Sequence, residues 1–151
     1  TLPRVGIVTA GRFRLDYEGP VLDLMGLNHR EMAHSRLWHP GSVPGHVAFN
    51  PEVLLRDPPE LLLPIDHTDG YGWQLFLRDL QFNQLVLYDL LTSEAFESLY
   101  QLAEIRRGEI VIIAFVRRDF AKLLVSQGYK VDTKSLTEIV TGSSKSLSPD
   151  R

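Results

Sequence analysis

Apolar positions along the chain fall into short runs separated by glycine and proline, a pattern that predicts an α/β layered domain. Val5 to Ala10 is β-branched and apolar on both alternating faces, which predicts a strand buried on two sides. Val21 to Met25 predicts a second strand closed by Gly26. Leu61 to Ile65 predicts a third, with Pro64 placing its end near a sheet edge. Between the first two, Arg12 to Pro20 alternates aromatic and charged residues and reads as a connecting stretch. Asn28 is placed to cap a short helix through about Leu37, because its side-chain oxygen can accept a free amide of the first turn. Pro40-Gly41 and Pro44-Gly45 then force a loop, Asn50-Pro51-Glu52 starts a second helix, and Pro58-Pro59 stops it.

The second half of the chain changes character. Asp66 to Leu91 reads as an insertion, polar and aromatic around Gly70-Tyr71-Gly72-Trp73 and ambiguous between strand and helix from Leu85. A helix starts at Thr92 or Ser93 and carries Phe96, Leu99 and Tyr100 on one side. Leu102 to Arg106 and Glu109 to Arg117 predict an antiparallel hairpin turning at Arg107-Gly108. Its second strand, Ile110 to Val116, is apolar on both faces and should be central. Asp119 caps a helix that Gly128 ends, and Tyr129 to Val131 adds a short edge strand. The expectation is a three-layer-like mixed sheet, with N-terminal parallel strands and a C-terminal antiparallel hairpin plus helix. One domain spans residues 1–131, with 66–91 inserted. Residues 132–151 form a polar tail, partly disordered in its last ten residues.

Composition narrows the function. At 151 residues the chain holds one ordinary domain, and 44% hydrophobic with 23% charged residues is the globular average. A net charge of −3 lacks the cation surplus that phosphate-backbone binding needs, so nucleic acid is excluded as a partner. With no cysteine there is no disulfide, thiolate metal site or cysteine nucleophile.

Local motifs are sparse. His29, His34, His39, His46 and His67, with Asp66 and Asp69 beside the last, are the first candidates for a metal site. His29 and His34 are five apart, which spreads them by about 140° on a helix and favours loop or capping roles. Gly6 and Gly11 lack the third glycine and direct helix start of a dinucleotide fingerprint. No nucleophile elbow surrounds Ser35 or Ser42. Asp23 stands out inside an apolar strand, where a carboxylate must find partners. It either points into a cleft at the strand end or accepts amides of the Gly26-Leu27-Asn28 turn. Arg106, Arg107, Arg117 and Arg118 mark the hairpin ends, as solvated charges or as contacts to lipid phosphate or another domain. Tyr71 and Trp73 offer an aromatic surface for a sugar ring or simply pack.

The order of segments carries more than any one of them. Val8-Thr9-Ala10-Gly11 is followed, nine residues on, by Val21-Leu22-Asp23-Leu24-Met25-Gly26-Leu27-Asn28 and then Glu31-Met32-Ala33-His34. Pro44-Gly45-His46 precedes Phe49-Asn50-Pro51, and Pro59 to Leu63 follows. Ser93-Glu94-Ala95-Phe96 leads to Tyr100, the hairpin and Val116-Arg117-Arg118-Asp119. This set resembles the soluble extracytoplasmic C-terminal domain of bacterial GT-C-type membrane glycosyltransferases, the arabinofuranosyltransferase-like and mannosyltransferase-like proteins. The 66–91 insertion has no equivalent in that pattern.

The resemblance implies a non-catalytic domain at the periplasmic face of a bacterial membrane, in the cell envelope, with Thr1 just after the last membrane helix. Its partners would be the membrane-embedded part of the same protein, which holds the catalytic acid, and a glycan acceptor or polyprenyl-phosphate sugar. Candidate ligand-binding residues are Arg12, Asp23, Asn28, His34, His46 and Trp73. No catalytic residue, metal or cofactor is assigned to this chain. The alternatives are a free-standing α/β hydrolase with a His/Asp metal site and a protein-interaction module.

Overall fold

The computed structural model describes residues 1–8, 10–25, 29–34, 49–63, 87 and 90–135. Their six strands form one mixed sheet in the order β2-β1-β3-β5-β4-β6. The strands are β1 (Val5–Ile7), β2 (Val21–Asp23), β3 (Leu61–Leu63), β4 (Tyr100–Arg107), β5 (Ile110–Arg117) and β6 (Lys130–Lys134). Strand β1 pairs in parallel with both β2 and β3, whereas β5 is antiparallel to β3 and β4, and β6 is antiparallel to β4. Among the described residues five α-helices and a 3-10 turn (Leu90–Thr92) accompany them: α1 (Ala10–Asp16), α2 (Arg30–His34), α3 (Pro51–Arg56), α4 (Glu94–Leu99) and α5 (Arg118–Ser126). The expected fold class, parallel strands first and an antiparallel hairpin with a helix after, is the observed one.

Alternation along the strands assigns the faces. Leu22 and Leu62 lie opposite Gly6 and join Leu24, Met32, Val53, Leu54, Phe96, Leu102 and Phe115 in one core under α2, α3 and α4. Val116, Ala103 and Ile105 belong to the other face and pack with Ala121 and Leu124 of α5, with Leu61 and Phe120 against them. Parallel neighbours need crossovers, and crossovers are right-handed. From β2 to β3 the chain moves across β1 with α2 and α3 above the first face. From β1 to β2 it moves the opposite way, and the same hand puts α1 on the other face, where Val5 and Ile7 are each 2% exposed. Three layers follow from that reversal.

Helix α1 corrects the sequence reading of residues 12–20 as a plain connecting stretch. A parallel β1–β2 pair obliges the chain to return to its starting edge, and seven helical residues climb about 10 Å, the length of a three-residue strand. Phe13 and Tyr17, four apart, then share a helix side with ring centroids 5.2 Å apart. Leu15 is left 84% exposed.

Other differences are local. Strand β3 lies between β1 and β5, not near an edge, and ends at Leu63. Helix α5 begins at Arg118 after an Arg117 cap, so Asp119 sits inside the first turn, where its Oδ1 accepts the Phe120 amide at 2.8 Å. Gly128 ends α5 at φ +85°, as expected, and strand β6 runs to Lys134 rather than Val131. The stretches 64–86 and 136–151, most of the insertion and of the tail, lie outside the described residues.

Candidate functional site at the carboxyl ends of the parallel strands

Chain reversal at β1 gives the sheet a switch point. The connections leaving β1 and β2 belong to opposite faces, α1 on one and α2 with α3 on the other, and in open α/β sheets ligands lie in the resulting crevice beyond the carboxyl ends of the strands. Ile7, Asp23 and Leu63 stand at one level along this end. Beyond it the Leu24 amide still donates to the Ile7 carbonyl at 3.0 Å, and Ala10, at the start of α1, is 4% exposed.

Asp23 is the one charged residue buried among the described residues, at 4% exposure. Its Oδ1 accepts the Met25 amide at 3.0 Å, which folds the chain back immediately after β2. The Gly26-Leu27-Asn28 amides that the sequence offered as its partners lie outside the described residues. Asp23 alternates with Leu22, so it lies on the face of Ile7 and α1.

The other candidates are distributed differently. Arg12 lies in the first turn of α1, with its side chain outside the described residues. His34 ends α2 and is exposed, lining a shallow groove with Arg30, Glu31, Asn50 and Val53. Met32 anchors α2 on the core of the opposite face, so Asp23 and His34 stand on different sides of the sheet. Asn28, His46 and Trp73 lie outside the described residues.

The groove is built by two short helices with distinct caps. At α3, Asn50 Oδ1 accepts the Glu52 and Val53 amides at 2.8 and 3.4 Å, as its sequence predicted. At α2, His29 Nδ1 accepts the Met32 amide at 3.2 Å, which requires that nitrogen to be unprotonated. Arg56 Nη2 donates to Glu31 Oε2 at 2.5 Å and ties the helices together. That hydrogen bond holds the Glu31 carboxyl below its ordinary value and raises Arg56.

Two arginines that sequence reading left as solvated or docking charges are bound internally. Arg117 Nη1 donates to the Pro58 carbonyl at 2.8 Å, and its Nε to Asp119 Oδ1 at 2.7 Å. Arg118 donates twice to the Glu97 carbonyl at the end of α4, at 3.1 and 2.9 Å, satisfying a helix terminus. With Glu97, Gln101, Thr133 and Lys134 it lines a second groove between α4 and β6. Sequence reading missed that groove, because nothing in the chain announces that β6 returns beside β4.

Among the described residues no three His, Asp or Glu side chains are placed to hold a metal ion. No described helix is long and apolar enough to cross a membrane. No family model, curated protein or solved structure matches this chain.

Proposed function

We propose that this chain is the non-catalytic, extracytoplasmic soluble domain of a polytopic bacterial membrane glycosyltransferase. In this reading it helps to hold a glycan acceptor or polyprenyl-phosphate sugar beyond the carboxyl ends of β1, β2 and β3. The observation that carries the reading is the meeting of two segments. Strand β1, which leads into Val8 and Ala10, and strand β2, which opens the Val21 to Met25 run, both parts of the glycosyltransferase-like pattern, pair in parallel. They bring a buried Ala10 and a buried Asp23 to one end of the sheet. Sugar sites place a few polar groups against an otherwise apolar wall, and Asp23 beside Ile7 supplies both.

The test is an amide NMR titration of the full chain with a short arabinofuranoside, a short mannoside and a short-chain polyprenyl-phosphate sugar. The expected shifts concentrate at Val8, Ala10, Gly11, Asp23 and Leu24, and extend to Arg30 and His34. The chain alone is expected to transfer no sugar. Turnover by the isolated chain, or shifts confined to the α4–β6 groove, would overturn the assignment.

A further inference from the structure

We infer that the groove between α4 and β6 binds a hydroxylated monocarboxylate, the chemistry of a uronic acid, with Arg118 and Lys134 on its carboxylate and Gln101, Thr133 and Glu97 on its hydroxyls. Strand register makes the groove. The β4–β6 ladder stops at Leu102–Lys134, whereas β4 pairs with β5 as far as Tyr100–Arg117. Among the described residues Tyr100 and Gln101 therefore have a strand neighbour on one side only, and the sheet edge is notched there. The end of α4 and the first residue of α5 close the notch, joined by the Arg118 bonds to the Glu97 carbonyl. It encloses about 490 Å³, within the roughly 300–1,000 Å³ of small-molecule sites.

Charge selects the ligand. Arg118 is held by neutral partners, with Nε and Nη2 on the Glu97 carbonyl and Nη1 donating to Gln101 Oε1 at 3.2 Å. Each bond uses one N–H, so Nη1 and Nη2 both keep another on a planar fork that matches the two oxygens of a carboxylate. Among the described residues no acid pairs with Arg118 or Lys134; the neighbouring acids Asp119 and Asp132 are paired with Arg117 and Lys130. Glu97 is the one acid among the described residues that line the groove. Two cations against one acid suit a monoanion and disfavour a dianion such as phosphate beside the Glu97 carboxylate.

The rest of the wall selects hydroxyls. The Gln101 amide and the Thr133 hydroxyl each donate and accept, and the Glu97 carboxylate accepts. Beneath them Phe96, Tyr100 and Leu102 give a small apolar floor for the C–H face of a ring. A plain acyl or aryl acid would leave those polar groups without partners, which costs affinity. The notch lies at the Tyr100 end of β4, level with Arg117, whose amide bonds Glu60 just before β3. Asp23 lies at the opposite end of the sheet, level with Ile7 and Leu63. The inference rests on the groove alone and not on the sugar reading at Asp23.

The test is an amide NMR titration of the full chain with sodium glucuronate, set against glucose and against inorganic phosphate. Glucuronate is expected to shift Glu97, Gln101, Arg118, Thr133 and Lys134, and to bind about ten-fold or more tightly than either comparator. Lys134→Gln changes an exposed side chain, so it should keep its melting temperature and bind glucuronate roughly five-fold more weakly. Arg118→Lys keeps the charge but loses the fork, and should bind about ten-fold more weakly or worse. Phosphate binding as tightly as glucuronate overturns the inference, because the groove is then an anion patch without hydroxyl recognition. Glucose binding as tightly overturns it too, since the carboxylate then contributes nothing. So does unchanged affinity in Lys134→Gln, or the absence of shifts at these amides. Loss of the glucuronate shifts with intact glycoside shifts at Asp23 removes this inference alone, and the converse removes only the sugar site.

Discussion

Arg117 reaches Glu60 across the joint between the two halves of the sheet: its Nη2 lies 3.1 Å from Glu60 Oε1, and its amide donates to the Glu60 carbonyl at 2.9 Å. The joint needs support, because among the described residues β3 and β5 share two register pairs, Leu61–Val116 and Leu62–Phe115. Glu60 Oε2 also accepts the Arg4 amide at 2.7 Å, which extends the clamp to the start of β1. Both side chains of the pair are about a quarter exposed, so water screens part of the attraction. Glu60→Ala is expected to cost about 1–2 kcal/mol, through the lost charge-assisted bonds and the partners left behind. Urea unfolding reads this as a lower midpoint; an unchanged midpoint removes the clamp.

Acid should weaken the fold from two places. The Arg117 hydrogen bond holds Asp119 below its ordinary 3.8, and Arg56 does the same to Glu31, ordinarily 4.5. A depressed carboxyl binds fewer protons in the folded than in the unfolded chain. Its stabilisation is complete above the ordinary value and fades as pH falls through the folded one. Unfolding midpoints should therefore drop below about pH 4.5, and Asp119→Asn should flatten the part of the slope below 3.8. Parallel profiles for the two proteins would show that Asp119 contributes nothing.

Among the described residues Tyr100 is the largest side chain sealed in the core, and its hydroxyl donates to the Pro59 carbonyl at 2.6 Å. Its ring stacks on Phe96 at 4.7 Å, and Phe96 meets Phe115 edge-on at 5.2 Å. Tyr100→Phe keeps the stack but strands the carbonyl, at an expected cost of about 1–2 kcal/mol. Burial also raises the phenol well above 10.0. The folded chain then keeps a proton that the unfolded chain loses, so stability falls as pH climbs past 10.0. Tyr100→Phe should show a shallower alkaline decline, measured by thermal unfolding across that range.

Gly6 has a packing reason for being glycine. A Cβ there would lie 2.7 Å from Leu62 Cδ2 and 3.1 Å from Pro59 Cγ, with Leu24 close behind. Gly6→Ala must push β1 away from the core of the first face, at about 1–3 kcal/mol. Equilibrium denaturation checks the value, and no loss of stability would mean that Leu62 simply rotates aside.

Legibility in the sequence followed how local each cause was. The hairpin was readable because Arg107-Gly108 sits just before the β-branched run Ile110 to Val116, and the α3 cap because Asn50 precedes Pro51. Helix α1 was not, since Leu15 faces solvent and only the parallel pairing of distant strands demands a crossover there. His29 caps α2 because its ring nitrogen reaches the Met32 amide, a geometry that propensity does not encode. At the site, the oddity of Asp23 in an apolar run marked a carboxylate in need of partners, and its Oδ1 accepts the Met25 amide. That Asp23 and His34 part to opposite faces depended on strand order, which no local pattern fixes.

Asp23 separates a structural from a binding role by chemistry alone. Asparagine keeps the oxygen that accepts the Met25 amide but removes the charge; alanine removes both. Asp23→Ala should lose about 1–3 kcal/mol, because it takes the partner from an amide in the turn after β2. Asp23→Asn should unfold near the parent midpoint. If the carboxylate also holds a sugar hydroxyl, Asp23→Asn keeps its fold and still loses the amide shifts at Val8, Ala10 and Leu24 on titration. If the carboxylate only folds the turn, the asparagine variant keeps both stability and shifts, and the sugar site must then be sought away from Asp23.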